Sequence, residues 1–168
     1  MSGLRVNQEL ARHFEGGDDS PLICNDNDNV MFVKNLGKSL SNLKNISVRV
    51  SAVEEYPTPG AASVRLFFAD GSQLRAEYWR ITKGGKAGRS SFDHHQQYGL
   101  PAPIDAIAEL QEQLQNRTLT DAQLDSETGD LLFQFADDIK FRVFNFTGYE
   151  VWEIHFPDGG GEYSPGAR

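Results

Sequence analysis

The sequence predicts an α+β fold in which two similar halves of antiparallel β-strands, arranged as hairpins or a meander, pack with one or two helices. The first observation is the stretch 131–156, where aromatic and β-branched residues dominate and two turns separate three strands. The second strand best shows the alternation of core-facing and water-facing side chains, in the run Ile139, Lys140, Phe141, Arg142 and Val143.

The second observation is an earlier hairpin that matches this stretch at a constant offset of 67 residues (135 − 68), which aligns Phe68 with Phe135. Each copy then runs into an aromatic-rich strand, around Trp79 in the first copy and around Trp152 in the second. The match favours an internal duplication. The alternative is that the two hairpins look alike only because turns of this kind are common.

The duplication defines the predicted domain organisation. We predict a single domain over residues 1–168, built from two related halves at about 28–82 and 103–158. Residues 83–102 are predicted to be a connecting loop between the halves, because glycines crowd its start and no apolar periodicity follows.

The elements before the first hairpin are less sharply defined. Residues 6–14 have the spacing of a short helix, and residues 30–36 fit either a capped helix or a strand. The Asn/Asp run at 25–29 lacks the glycine and the bidentate acid that a calcium-binding loop needs, so we interpret it as turn sequence. Residues 40–54 are predicted to form one strand or two.

The remaining elements are predicted from their flanking signals. Strands at 64–68 and 73–81 flank Asp70-Gly71, a strong hairpin turn. Residues 103–116 give the clearest helix, since proline opens the first turn and apolar residues recur at helical spacing. A further strand is expected at 119–125.

Composition excludes several classes of protein. The formal net charge of −8 disfavours binding to nucleic-acid phosphates. No apolar run reaches the roughly 18 residues of a membrane span, and the N-terminal residues lack a signal-peptide pattern. The single cysteine, Cys24, fits a reducing compartment. We therefore expect a cytoplasmic protein that binds neither nucleic acid nor membrane, with a frayed glycine-rich tail from residue 159.

Candidate chemistry is sparse. The pair His94-His95 invites a metal hypothesis, but zinc needs further ligands in a shaped site, so a solvated polar loop is the preferred interpretation. The glycine-rich run that contains Lys86 lacks the spacing of a phosphate-binding loop, and no nucleophile elbow is present. We predict no catalytic, cofactor-binding or metal-binding residue.

The segment of most interest for recognition follows the second hairpin. Tyr149, Glu150, Trp152 and Glu153 combine aromatic and acidic side chains, which are good protein-contact surface, and His94 and His95 join them as candidate interaction residues. For Trp152 the preferred alternative is a role as an anchor of the core.

The second half carries a family resemblance. The layout of Arg117-Thr118-Leu119, Gly129-Asp130, Phe141-Arg142, the strand from Tyr149 and Pro157-Asp158-Gly159 resembles a group of small uncharacterised bacterial β-rich domains. Some proteins of this build are similar to immunity proteins of contact-dependent or polymorphic toxin systems. The resemblance covers about residues 114–160 well and the first half loosely. It implies a binding role and transfers no catalytic residue.

The sequence thus favours a non-enzymatic protein-binding domain, of the type that neutralises a toxin, with a basic partner or a second copy of itself. One alternative is a small-ligand-binding protein or metal-dependent enzyme with a pocket near the 83–102 loop. Another is a structural homo-oligomer, for example a homodimer, suggested by Phe67, Phe144 and Phe146 at outward positions.

Overall fold

Ten antiparallel strands and one complete α-helix make up the part of the chain described by the structure, a computed structural model that covers residues 40–44, 46–51 and 61–165. The elements are β1 Val48–Ser51, β2 Val64–Phe68, β3 Gln73–Ala76, β4 Trp79–Lys83, β5 Lys86–Ser90, α1 Ala106–Leu114, β6 Leu119–Leu124, β7 Leu131–Phe135, β8 Ile139–Val143, β9 Trp152–His155 and β10 Gly161–Tyr163. The elements predicted at 6–14, 25–29 and 30–36 lie outside the described residues.

The strands form two five-stranded sheets, and each sheet draws strands from both ends of the chain. Sheet I has the order β1-β2-β3-β9-β10, and sheet II has the order β5-β4-β8-β7-β6. The chain leaves sheet I after β3 and enters sheet II at β4, with only Glu77 and Tyr78 between them. It returns from β8 in sheet II to β9 in sheet I through residues 144–151. The mainly antiparallel α+β class is as predicted.

Alternation of side chains explains why these segments are strands. In β8, Ile139, Phe141 and Val143 are buried while Lys140 and Arg142 are exposed, as the sequence predicts. Strands β2 and β7 show the same period of two. One apolar core takes side chains from both sheets, and the rings of Phe68 and Phe133 lie 6.1 Å apart within it.

The helix α1 lies inside the predicted range 103–116 and closes part of this core. The Asp105 carboxylate caps its start by accepting the Ala108 amide N–H at 2.9 Å. Its buried face consists of Ala106, Ile107, Leu110 and Leu114. Burial stabilises each of the larger side chains by about 1.5–3 kcal/mol, so packing holds a helix that is too short to be stable alone.

Three predictions about chain path are wrong. The predicted strand 73–81 is two strands in different sheets, because the chain crosses over at Glu77 and Tyr78. The predicted loop 83–102 contains strand β5, which pairs with β4 through a turn at Gly84 and Gly85. Of the predicted strand region 40–54, Leu40 and Ser41 are helical, and the strand that the described residues form there is Val48–Ser51.

The tail also departs from expectation, because β10 and Ser164 fix it to β9. The buried Ser164 hydroxyl accepts the Val151 amide N–H at 2.7 Å, and the Ser164 amide N–H donates to the Trp152 carbonyl at 2.9 Å. The segment contains few apolar residues, so its order depends on main-chain pairing that a composition argument does not detect.

Two buried tryptophans tie the sheets to neighbouring segments. The Trp79 indole N–H donates to the Ala62 carbonyl at 2.7 Å, and the Trp152 indole N–H donates to the Gly129 carbonyl at 2.9 Å. Both tryptophan side chains are almost completely buried, at 1% and 0% exposure. Each bond therefore satisfies a donor and an acceptor that water does not reach.

Replacing either tryptophan with phenylalanine should be costly. We expect Trp79→Phe and Trp152→Phe each to lower the free energy of unfolding by about 1–3 kcal/mol, because each leaves a buried carbonyl without a donor. Urea denaturation measures the change, and Tyr163→Phe on a partly exposed strand is the control. Losses no larger than that of the control would contradict these roles of the indole groups.

Candidate functional site

The segment that connects β8 to β9 contains two of the three most exposed large hydrophobic side chains of the described residues. We call residues 145–150 the crossover loop. Within it, Phe146 is 61% exposed and Tyr149 is 82% exposed. Full burial of each such side chain would gain about 1.5–3 kcal/mol, so leaving both in water is unfavourable for the isolated molecule.

Hydrogen bonds at its first residue and within it hold the crossover loop in place. The Asn145 amide N–H donates to the Asp130 carboxylate at 2.8 Å, and its side-chain Nδ2 donates to the carbonyls of Thr128 and Pro165 at 3.0 and 3.1 Å. Within the loop, the Thr147 hydroxyl accepts the Tyr149 amide N–H at 3.2 Å. The exposed rings therefore project from an anchored backbone.

A cluster of rings lies beside the crossover loop. We define the aromatic patch as Tyr78, Phe92 and Phe146. The Tyr78 ring lies 4.7 Å from that of Phe146 and 5.7 Å from that of Phe92, and Phe92 is 46% exposed. The patch thus joins three segments distant in sequence: the first crossing between the sheets, the turn after β5 and the second crossing.

Gly129 lies between Asn145, which anchors the crossover loop, and the buried Trp152. It has φ of +75°, and a Cβ there would lie 2.6 Å from Asn145 Nδ2 and 2.8 Å from Pro165 Cγ. Its carbonyl accepts the Trp152 indole N–H. Glycine is required at this position both for its backbone conformation and for the close approach of Asn145.

Asp130, whose carboxylate accepts the Asn145 amide N–H, also lines an open pocket of about 230 Å³. The other lining residues are Gln123, Leu124, Asp125, Leu131, Leu132 and Arg142. The backbone N–H groups of Glu127 and then Thr128 lower the pKa of Asp125, so its carboxylate stays charged. Pockets that enclose small molecules are usually larger, about 300–1,000 Å³. This one suits a single side chain better than a substrate.

The predicted interaction residues do not form one surface. Tyr149 and Glu150 are exposed in the crossover loop. Trp152 is fully buried, so the alternative interpretation as a core anchor applies and the residue does not belong to any recognition surface. The Glu153 side chain lies on the outer face of sheet I, 3.6 Å from Arg75, with 21% exposure.

The two histidines lie elsewhere, in the turn that follows the 3₁₀ segment Ser91–Asp93. Their rings are 3.8 Å apart, and His94 Nδ1 is 3.7 Å from the Asp105 carboxylate that caps α1. Among the described residues, no group of three or more His, Cys, Asp or Glu side chains could hold a metal ion.

None of the described helices has the length and apolar character to cross a bilayer.

Sequence reasoning missed Tyr78 and Phe92 as surface residues and assigned Phe146 only to self-association. The predicted continuous strand 73–81 conceals that Tyr78 lies at a crossing between sheets. A usable signal is present, because the spacing between the matched residues changes from 67 (135 − 68) in the hairpins to 73 (152 − 79) at the tryptophans, which indicates an insertion between them.

Comparisons with known proteins leave the function to be argued from this geometry. No protein-family model matches the chain, and no curated protein or solved structure is significantly similar to it.

Gly129 offers a test of how the crossover loop is anchored. We expect Gly129→Ala to lower the free energy of unfolding by about 2–4 kcal/mol, from about 1–2 kcal/mol of backbone strain plus the overlap with Asn145 and Pro165. Amide hydrogen exchange should also speed up across residues 145–150.

The matched control is Gly159→Ala. Gly159 has φ of +86°, and no atom lies within 4 Å of the position that a Cβ would occupy there, so only the strain contribution applies. Equal losses for the two variants, or unchanged exchange in the crossover loop of Gly129→Ala, would show that Gly129 does not anchor the loop.

Proposed function

We propose that the protein is a non-enzymatic protein-binding domain, of the immunity type that neutralises a toxin by occupying it. The observation that carries the proposal is the crossover loop, which holds Phe146 and Tyr149 exposed on an anchored backbone beside the aromatic patch. Large aromatic side chains that are fixed before binding contribute strongly to protein interfaces, since little entropy is lost when they are covered.

We further propose that the chain is an internal duplication in which the two halves exchange hairpins. The register of the pairs between halves supports this. Strand β3 places Ala76 opposite Trp152, and β8 places Val143 opposite Trp79. Ala76 and Val143 are 67 residues apart, and the two tryptophans are 73 apart. In one pair a first-half residue faces the second-half tryptophan, and in the other a second-half residue faces the first-half tryptophan, so the two contacts correspond.

Hydrogen bonds around the tryptophans support the same proposal. The indole acceptors, Ala62 and Gly129, are also 67 residues apart. The Ser91 hydroxyl accepts the Trp79 amide N–H at 3.3 Å, and the Ser164 hydroxyl accepts the Trp152 amide N–H at 3.4 Å. Each serine is buried and follows its tryptophan by 12 residues (91 − 79 and 164 − 152).

Under the duplication, the crossover loop is an addition to the second half. The Glu77 amide N–H donates to the Val151 carbonyl at 3.0 Å, and the Phe144 amide N–H donates to the Tyr78 carbonyl at 2.9 Å. These reciprocal bonds align Glu77 with Phe144 and Tyr78 with Val151. The second half then has six extra residues, 145–150, where the first half crosses directly. An addition that the fold does not need, and that carries exposed aromatic rings, is suited to binding.

Charge indicates the chemistry of the partner. The chain has a formal net charge of −8, and Glu150 is exposed next to Tyr149. A net negative protein associates faster with a basic partner, because their fields attract over about a Debye length, roughly 8 Å at physiological salt. A basic toxin is therefore the proposed partner. Phe67 and Phe144 are half-buried, which leaves Phe146 as the main argument for self-association.

The proposal is tested by co-expression with the product of the neighbouring upstream gene. We expect a stable complex in gel filtration and protection from growth arrest. A complex without protection would support binding and contradict toxin neutralisation, whereas the absence of both would contradict the immunity proposal. Light scattering of the protein alone measures self-association.

The crossover loop variant Phe146→Ser with Tyr149→Ser should weaken this complex about 30-fold or more, since truncation of an interface hot spot costs about 2 kcal/mol. Isothermal titration calorimetry measures the affinity. Because both side chains are exposed, the thermal midpoint should stay within a few degrees of that of the parent protein.

The matched control is Tyr163→Ser, which removes a 44% exposed aromatic ring of β10 that packs edge-on against His155 of β9. An affinity loss as large for this control, or an unchanged affinity for the loop variant, would exclude the crossover loop as the binding surface.

A further inference from the structure

Two arginines face each other on the outer surface of sheet II. Strand β4 places Arg80 directly opposite Arg142 of β8, and both side chains are exposed because their neighbours in each strand point into the core. We call Arg80 and Arg142 the arginine pair. Directly opposite side chains in an antiparallel pair have Cβ atoms about 4.5–5.5 Å apart, where like charges repel.

At the corresponding place in sheet I, an arginine lies opposite a glutamate and not opposite a second arginine. There Arg75 of β3 lies opposite Glu153 of β9, with 3.6 Å between guanidinium and carboxylate, and Arg75 also contacts Glu77 at 2.9 Å. By the register between the halves, Arg75 corresponds to Arg142 and Glu153 corresponds to Arg80. The fold therefore accommodates a carboxylate at this position, and sheet II has an arginine instead.

Nothing in the described part of the chain neutralises the arginine pair at contact distance. Neither guanidinium has a carboxylate oxygen within 4.0 Å among these residues. Arg80 lies over the ring of Phe144, 5.5 Å from its centroid, and the adjacent Lys140 contacts Asp138 at 3.8 Å. The pair thus offers free guanidinium donors on an ordered sheet.

The pair is continuous with the proposed binding surface. Arg80 follows Tyr78 by two residues, and Phe144, which lies under Arg80, donates its amide N–H to the Tyr78 carbonyl. Tyr78 in turn contacts Phe146 of the crossover loop. A protein that covers the aromatic patch therefore reaches the arginine pair as well.

We propose that the arginine pair receives a carboxylate side chain of the protein partner. The inference rests on the proposed function and specifies the chemistry that the partner, although basic overall, brings to this face. Two guanidinium groups can each donate paired N–H groups to one carboxylate, and such charge-assisted bonds are strong and directional.

A carboxylate fits this position better than a nucleic-acid backbone. Asp125 and Asp130 line a pocket together with Arg142, Asp138 contacts the neighbouring Lys140, and the whole chain is acidic. An extended polyphosphate would meet more of these negative charges than a single carboxylate does. The surrounding acids thus restrict the site to one local anion.

The test uses the full chain and, as probe, a peptide with one glutamate among neutral residues and with blocked ends, at low ionic strength. We expect the peptide to shift the NMR signals of the Arg80 and Arg142 Nε–H groups, with a Kd on the order of 1 mM. Arg80→Glu should abolish these shifts. Because it recreates the arrangement of Arg75 and Glu153, it should also raise the thermal midpoint of the free protein by about 1–4 °C.

Two matched variants complete the design. Arg80→Lys keeps the charge and should keep weakened peptide binding. Glu153→Arg creates a second arginine pair on sheet I, should lower the thermal midpoint, and should leave the response of Arg80 and Arg142 to the peptide unchanged. In the natural complex, Arg80→Glu should reduce the affinity about tenfold or more.

Peptide binding that Arg80→Glu does not change, no signal shifts in the parent protein, or tighter binding to a single-stranded DNA oligonucleotide would each overturn the proposal. The outcome is separable from that of the proposed function. The peptide response does not need the partner and should persist in the Phe146→Ser, Tyr149→Ser variant, whereas loss of the natural complex in that variant tests the crossover loop.

Discussion

The pairing of strands between the two halves is the constraint on which the rest of the structure depends. Strand β9 completes the sheet that begins with β1, β2 and β3, and β4 completes the sheet that contains β6, β7 and β8. Each sheet combines three strands from one part of the chain with two from the other, joined where β3 pairs with β9 in sheet I and where β8 pairs with β4 in sheet II. Trp79 is the first residue of β4 and Trp152 is the first residue of β9. Their buried indole N–H groups donate to main-chain carbonyls and so hold the start of each strand in place. One shared core follows, and it contains side chains from both sheets.

The crossings between the sheets also form the surface that we propose for binding. The chain must cross from sheet to sheet twice, and the two crossings lie side by side, held by the bonds between Glu77, Val151, Phe144 and Tyr78. Where the first crossing takes two residues, the second carries the crossover loop. Its aromatic rings stand next to Tyr78, and the arginine pair begins two residues further along β4. The surface that we propose for recognition thus lies beside the hydrogen-bonded crossings, which support its exposed side chains.

Local patterns predicted the α+β class, the buried and exposed faces of β8 and the position of α1, because periodicity reports which side of an element meets the core. They did not predict the division at Glu77 and Tyr78. The buried positions change phase there, from Leu74 and Ala76 to Trp79 and Ile81, but a change of phase does not reveal which sheet a strand joins. Strand β10 was missed because main-chain bonds and Ser164, and not apolar side chains, hold it. Of the candidate site, the sequence predicted Tyr149 and Glu150. Phe92 and Arg80 could not be joined to them without the topology.

The central claim is that the two sheets form one cooperative unit through their exchanged strands, and native-state hydrogen exchange tests it most directly. The amides of Glu77 and Phe144 donate the two reciprocal bonds between the crossings. The account predicts that both exchange only through global unfolding, with equal free energies of opening that match the value from urea denaturation. If one of these amides opened at a clearly lower free energy while strands of the other sheet stayed protected, the sheets would be independent and the account would be contradicted.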